Sequence, residues 1–369
     1  MEEEQALIPG LPDDIALDCI ARVPHRFLPG LRPICRRWRD LVTSPSFRHH
    51  RERIGSAEDL IFLVQALGGG ATIAGDAKDP IKPSIAADLR PPVYSLSIYV
   101  ATDGSWHRLS LPEPIPMFAQ CVAVEGKLVL VGGWDPVTLD PVPDVRIVDL
   151  VTGEWRIGRP MATARSFFAC AALGGRVYVA GGHDGLKNAL RTAEVYDVEA
   201  DEWAAIPAMV EERDESQGVV IEGRFWAVSG YGTERQGRFT DSAEWFDPEK
   251  GVWRSEEGVW SEEGGSAACF AGGERLWCVG RRGAKEYRGG SVWKEAVQPP
   301  EGMKGSTCAA MMGGGRVFVM GAAGEGGGVA GSSGGYCSWV LEIAGGQWIR
   351  TETPAIFSGF AYSAAAVRM

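Results

Sequence analysis

Six tryptophans set the terms for what this chain can fold into. Trp106, Trp155, Trp203, Trp253, Trp293 and Trp348 recur at intervals of 49, 48, 50, 40 and 55 residues. A second marker keeps the same beat: Tyr99, Val148, Tyr196, Phe246 and Leu341 each lie seven residues before their tryptophan, and Tyr287 lies six before Trp293. An apolar run ending in glycine precedes most of these pairs, as LVLVGG (128–133), VYVAGG (177–182), FWAVSG (225–230), LWCVG (276–280) and VFVMG (317–321). A degenerate copy, LIFLVQALGG, occupies 60–69. Such a period belongs to a propeller or solenoid, in which each unit buries its apolar faces against its neighbours.

The best copy reads as four short strands: FFACAAL at 167–173, 176–182, AEVYDV at 193–198, and a fourth beginning at Trp203. Gly174-Gly175 and Ala200-Asp201-Glu202 are the turns between them. The glycine pair ending the second strand is expected to allow close backbone approach near the axis. The tryptophan and its aromatic partner are expected to fill the space between neighbouring units, where large rings bury most area. The first copy has no first strand, and residues 360–367, FAYSAAAV, are left over at the other end. A closed six-bladed propeller follows if this terminal strand completes the first blade and hides the open edges. Two long loops, 68–92 and 322–338, read as mobile surface excursions.

Residues 1–55 have another texture, rich in arginine and carboxylates and poor in glycine. Leu11-Pro12-Asp13-Asp14 marks a helix start, with acids suited to the first turn. Ile15, Cys19, Ile20 and Val23 follow at helical spacing, and Pro24 ends that helix. Leu28, Leu31, Ile34, Cys35, Trp38, Leu41 and Val42 supply a second stripe, and Ser44-Pro45-Ser46-Phe47 closes the unit. About forty residues bury little core alone, so this module packs either on the following domain as a cap or on a partner. The chain therefore divides into a helical module, 1–55, and a repeat domain, 56–369.

The net charge of −11 argues against nucleic acid as the main partner, because phosphate binding needs clustered cations. No apolar run has the length of a membrane span. The acidic start MEEEQALIPG lacks the features of a signal peptide, so a cytoplasmic or nuclear location with reduced thiols is expected. The eight cysteines form no CxxC pair. Cys121, Cys170 and Cys269 each precede by six residues a basic residue opening the next apolar run, which marks one repeated small strand position. No metal, cofactor or catalytic residue is expected. His107 and His183 are the only histidines beyond residue 56, too few for a radical copper site, and no phosphate-binding loop precedes a helix.

In a propeller, binding falls on the face made by the loops between second and third strands and by the blade-linking segments. Here these carry Trp134, His183, Asp184, Lys187, Asn188, Arg191, Tyr231 and Arg235, with Arg165 and Arg213 in the links. This aromatic, arginine and carboxylate mixture suits interface anchors. The plain alternative is solvated loop residues, with Arg165 and Arg213 paired to neighbouring carboxylates.

Two resemblances add to this reading. LPDDIALDCIARVPHRFLPGLRPICRRWRDLVTSPSF resembles an F-box, with the Leu-Pro opening and a Cys-x-x-Trp-x-x-Leu ending, and departs from it at Pro29 and Pro33. The Gly-Gly, Tyr and Trp markers resemble kelch repeats over nearly all of 56–369. Together they imply a non-enzymatic substrate receptor of an SCF-type ubiquitin ligase. It would bind the Skp1 adaptor of a cullin-RING ligase through Leu11, Pro12, Ile15, Ile20, Leu31, Cys35, Trp38 and Leu41, and a protein substrate on the loop face. The stretches KNALRTAEVYDVEADEW, MATARSFFACAA and ETPAIFSGFAYSA resemble a plant subgroup implicated in turnover of phenylalanine ammonia-lyase and of cytokinin response regulators. The alternative is a kelch scaffold or small-molecule binder whose N-terminal helices are a cap.

Overall fold

The computed structural model describes residues 6–67, 75–76, 79–83, 92–260, 267–324 and 335–369. The two long loops of the repeat domain lie largely outside these residues; within the first, Gly75–Asp76 and Asp79–Pro83 pair as a two-stranded ribbon.

Six four-stranded antiparallel sheets form a ring, and the C-terminus closes it. Blade 1 takes its first strand from Ala361–Arg368, followed by Asp59–Ala66, Tyr94–Val100 and Ser105–Leu109. The pairing runs from Asp59 opposite Arg368 to Gln65 opposite Ala361. Blade 2 is Gln120–Val124, Lys127–Val131, Val145–Asp149 and Trp155–Gly158. Blade 3 is Ala169–Leu173, Arg176–Ala180, Ala193–Asp197 and Glu202–Ile206. Blade 4 is Gln217–Ile221, Arg224–Val228, Ala243–Asp247 and Val252–Glu256. Blade 5 is Ala268–Gly272, Arg275–Gly280, Gly283–Tyr287 and Trp293–Val297, and blade 6 is Met303–Met312, Arg316–Ala323, Tyr336–Glu342 and Gln347–Arg350.

The tryptophan ruler has a specific structural cause. Each of five indoles donates its N–H to a carbonyl in the segment leaving the preceding blade. Trp203 reaches Arg159, Trp253 reaches Pro207, Trp293 reaches Gly258 and Trp348 reaches Gln298. Trp106 reaches Glu352 at 2.9 Å and so stitches blade 1 to blade 6. The partner seven residues upstream sits directly opposite on the third strand, as Tyr196 does to Trp203, with ring centroids 4.9 Å apart. One aromatic thus packs the blade while its indole N–H fixes the angle to the next, which explains why the interval is conserved from copy to copy within the chain.

The glycine pair serves a close approach different from the one its position suggests. A Cβ on Gly181 (φ +72°) would overlap the carbonyl of Arg213, and one on Gly182 (φ +80°) that of Ser166. The backbone therefore abuts the blade-linking segments, not the axis.

Among the described residues the N-terminal module has four α-helices, α1 (Asp13–Ala21), α2 (Leu28–Leu31), α3 (Arg36–Thr43) and α4 (Pro45–Arg53). Pro29 and Pro33 confine α2 to a single turn and delay α3 to residue 36. The sequence reading ended the module at Ser44–Phe47; the structure instead begins α4 there. Ser44 Oγ accepts the Phe47 N–H at 3.2 Å, and Pro45 fills the first turn, where its missing N–H costs nothing. Ile20, Ala21, Leu28, Val42 and Phe47 form the small core.

The module docks on the face made by the turns between first and second and between third and fourth strands. Arg32 donates to the Thr152 carbonyl at 2.8 Å, Pro29 lies against Gly153 and Arg48 against Gly126. Arg51, 2% exposed, donates to the carbonyls of Ala21 and Val23 and to Glu58, clamping the end of α1 to the entry of blade 1. Burial, aided by the Arg51 charge, pushes the adjacent His25 imidazole down to about 4, so it is neutral at this junction.

Candidate functional site: two opposed faces

The module's outward side carries Leu11, Ile15 and Ile34, which are 38%, 48% and 58% exposed. Pro12, Cys19 and Cys35 are exposed beside them. Leu31, Trp38 and Leu41 are half-buried against the module core, and the Trp38 indole N–H is held by the Leu7 carbonyl at 2.6 Å. Ile20 is a correction to the sequence reading: at 2% exposure it belongs to the core, because it sits on the inner side of α1 next to Ala21 and Phe47. Ile34, which the sequence places in the second apolar stripe, joins the exposed set because it lies in the turn before α3 and not on a helix face turned to the core.

The opposite face is built from loops 132–144, 181–192 and 229–242 of blades 2 to 4 and from the segments linking blades. Two arginines expected to meet a substrate are corrected here. Arg165 is fully buried; its guanidinium binds the carbonyls of Gly181 and Thr192 and the Glu194 carboxylate at 2.8 Å. Arg213 is 1% exposed and binds the carbonyls of Ser229 and Ser242 and Glu244. Each arginine ties together the two stems of one long loop. The planar donor fork suits it to two carbonyls and a carboxylate at once. These pairings with neighbouring carboxylates are the plain alternative read from the sequence.

His183 and Tyr231 are also mostly covered, 5% and 7% exposed. His183 Nδ1 pairs with Asp214 at 2.9 Å and its ring stacks on Phe167; the Tyr231 hydroxyl donates to Glu215 at 2.8 Å. They brace the mouth of the ring with Phe118, Trp134 and Tyr362, whose rings lie within 6 Å of their neighbours. Asp184 is half-buried and organises its own loop, accepting from the amides of Leu186 and Asn188. Lys187, Asn188, Arg191 and Arg235 are exposed, with Lys187 over the Trp134 ring at 5.5 Å. Leu186, 84% exposed, and Arg281-Arg282, exposed in the hairpin of blade 5, escaped the sequence reading. The run Gly280-Arg-Arg-Gly283 was the available hairpin signal.

A central channel of about 410 Å³ is lined by the first strand of every blade. Its walls are mainly Ala, Ser, Cys and Gly, which lets six strands converge. Gln120 and Gln217 bridge adjacent first strands: Gln120 Nε2 donates to the Phe168 carbonyl, and Gln217 Oε1 accepts the Cys269 amide. Burial pushes the thiols of Cys121 and Cys170 up, so they keep their protons and act as small packing groups.

Comparison with known proteins matches this two-part organisation. Residues 8–50 fit the F-box domain, and residues 117–162 and 164–210 each fit the Kelch motif. The Arabidopsis thaliana F-box/kelch-repeat protein SKIP20 is 40% identical across 98% of this chain and 96% of its own length. A second relative from that plant, F-box/kelch-repeat protein At2g44130, is 44% identical across 74% of this chain and 71% of its own length. A third, F-box/kelch-repeat protein At1g80440, is 32% identical across 94% and 96%. A helical F-box docked beneath a six-bladed ring of kelch repeats, with near full-length likeness to such proteins, makes this chain a member of the F-box/kelch-repeat family.

Proposed function

We propose that the chain is a substrate receptor of an SCF-type ubiquitin ligase, with no chemistry of its own. Leu11, Ile15 and Ile34, with Pro12 and Cys35, dock a Skp1-type adaptor, and the half-buried Leu31, Trp38 and Leu41 stiffen that surface from beneath. The loop face holds a protein substrate. The single observation that carries this reading is the placement of an exposed aliphatic patch on a helical module clamped to the face opposite the loops. A receptor of this shape holds a substrate lysine near the ubiquitin-carrying enzyme, and the tether raises the local concentration of reactants. The finer reading, with phenylalanine ammonia-lyase or a type-B response regulator as substrate, rests on the resemblance of the quoted stretches alone, and the cytoplasm or nucleus as location rests on the acidic stretch MEEEQALIPG lacking signal-peptide features.

The test is co-purification of a Skp1-type adaptor with the full chain and with Ile15→Asp/Ile34→Asp. Both side chains are exposed, so the variant should melt as the wild type does. Losing two aliphatic contacts and burying two carboxylates should lower adaptor recovery by more than about tenfold. Equal recovery would overturn the docking surface. Trp38 is a poorer probe, because its loss would loosen the module itself.

A further inference from the structure

The arginines of the propeller divide sharply by position. Among the described residues, those outside the loop face and the blade-linking segments each hold a carboxylate, an uncharged acceptor or a ring, while Arg159, in the link between blades 2 and 3, is exposed and holds none. Arg146, Arg156, Arg176, Arg224, Arg275, Arg288, Arg316 and Arg368 form ion pairs. Arg108 binds Ser95 and the Ile356 carbonyl, Arg254 lies over Trp245, and Arg350 meets Cys337 Sγ. By contrast, Arg191, Arg235, Arg238, Arg281 and Arg282 are all exposed and make no ion pair, side-chain hydrogen bond or ring contact among the described residues. All five sit on the second-to-third-strand loops of three consecutive blades, 3, 4 and 5.

Most carboxylates on this face are engaged by the fold, while Glu234 and Asp241 on the blade 4 loop are exposed and hold no side-chain partner among the described residues. Asp184 accepts from its own loop amides, Asp214 from His183, Glu215 from Tyr231, and Glu212 from the Thr233 amide and hydroxyl. The Thr233 hydroxyl in turn accepts the Ala189 amide, which holds the loops of blades 3 and 4 side by side. On these three loops the five free arginines outnumber the two free carboxylates, on a braced surface and in a chain whose net charge is −11. An arc of free guanidinium groups attracts carboxylates and forms two-pronged hydrogen bonds to them. Leu186, 84% exposed beside this arc, adds an apolar contact point.

We infer that this arc receives a carboxylate-rich segment of a partner protein that also carries aliphatic side chains. Resting on the receptor reading, it defines the chemical class of substrate segment that the loop face selects. A long polyanion fits poorly, since the engaged carboxylates of the same face would repel its flanks.

The test uses the full chain and fluorescence anisotropy with three labelled probes: a glutamate-rich peptide with spaced leucines, the same peptide with glutamine in place of glutamate, and polyuridine. The glutamate peptide should bind, weaken with added salt, and lose more than about tenfold in affinity for Arg235→Glu/Arg238→Glu/Arg281→Glu/Arg282→Glu. That variant should keep the wild-type melting temperature, because none of its arginines has a partner to lose. Equal binding of the glutamate and glutamine peptides, or equal binding by wild type and variant, would overturn the inference. So would tighter binding of polyuridine. Adaptor co-purification from the same preparations tests the receptor reading separately: adaptor retained without peptide preference sinks only the acidic-segment claim, and peptide preference without adaptor sinks only the ligase role.

Discussion

Blades 3 and 4 and blade 5 solve one problem in opposite ways. In blades 3 and 4 the second and third strands are joined by long loops, 181–192 and 229–242, beyond the ends of the paired strands. A buried arginine from the preceding link binds both stems and a buried glutamate. In blade 5 the same strands meet in a hairpin, with Gly280 paired to Gly283 and only Arg281-Arg282 between them. Its stems are held by the ladder itself, and the link 257–267 contains no arginine. Burying a charge costs several kcal/mol in lost hydration. The comparison teaches that the staple appears where a loop is long and yet fixed. Blade 2 reaches a similar end with the charges exchanged: Arg146 on the third strand faces Glu113 and Asp144.

The sharpest way to break this comparison is Arg213→Met. It would strand the fully buried Glu244 carboxylate, which is 0% exposed, and should cost about 3–5 kcal/mol in chemical denaturation. A loss below about 1 kcal/mol would show that the stems hold without the staple. Adding Glu244→Gln should restore part of the loss, since the charge is gone while the remaining oxygen still accepts from one of the two amides, Val210 or Glu211, that the two carboxylate oxygens hold.

Blade 5 is next, because its equivalent weakness is backbone conformation. Gly283 has φ +95°, and a Cβ there would overlap the Val297 carbonyl, so Gly283→Ala should destabilise by about 2–4 kcal/mol. Gly223→Ala is the control: φ is +68° but nothing lies within 4 Å, and the expected loss is about 1 kcal/mol. Equal losses would mean that the hairpin tolerates the side chain by shifting.

A feature shared by both kinds of blade should respond alike. Trp203→Phe and Trp293→Phe each remove one indole N–H to the preceding link and should each cost about 1 kcal/mol by thermal unfolding. A much larger effect in one would show that the blade seams are not equivalent.

The smallest effect is in pH. In blade 3 the Tyr196 hydroxyl donates to Asp201 and, with the Arg159 amide and Arg156, holds that carboxyl below its ordinary range. A depressed folded value means that the contribution is fully present above about 4 and is lost as pH falls through the folded value. Asp201 is partly exposed, so screening keeps the effect small. Acid unfolding of Asp201→Asn should accordingly show a slightly weaker slope below pH 4 than wild type; an identical slope would remove Asp201 from the account.

The propeller was legible because its determinants are local and repeated. A tryptophan recurs in each blade, with an aromatic or aliphatic residue six or seven positions before it and a glycine near the end of the second strand, so counting them gives the number of blades. Strand limits were also close, with 193–198 expected and Ala193–Asp197 found. The start of α4 was read as an ending, because Ser-Pro breaks a preceding helix and caps a following one equally well.

The site was less legible. Residue type and loop position marked Arg165, Arg191, Arg213 and Arg235 alike, yet two are buried staples and two are free. Nothing within a few residues of each arginine distinguishes them, since the deciding carboxylates Glu194 and Glu244 lie 29 and 31 residues downstream. Period, composition and glycine placement therefore determined six blades and a separate helical module, because those depend on contacts within a repeat or with its immediate neighbours. Which cations face a partner was decided only when the ring closed, because a charge is spent or available according to what the fold brings beside it from another strand.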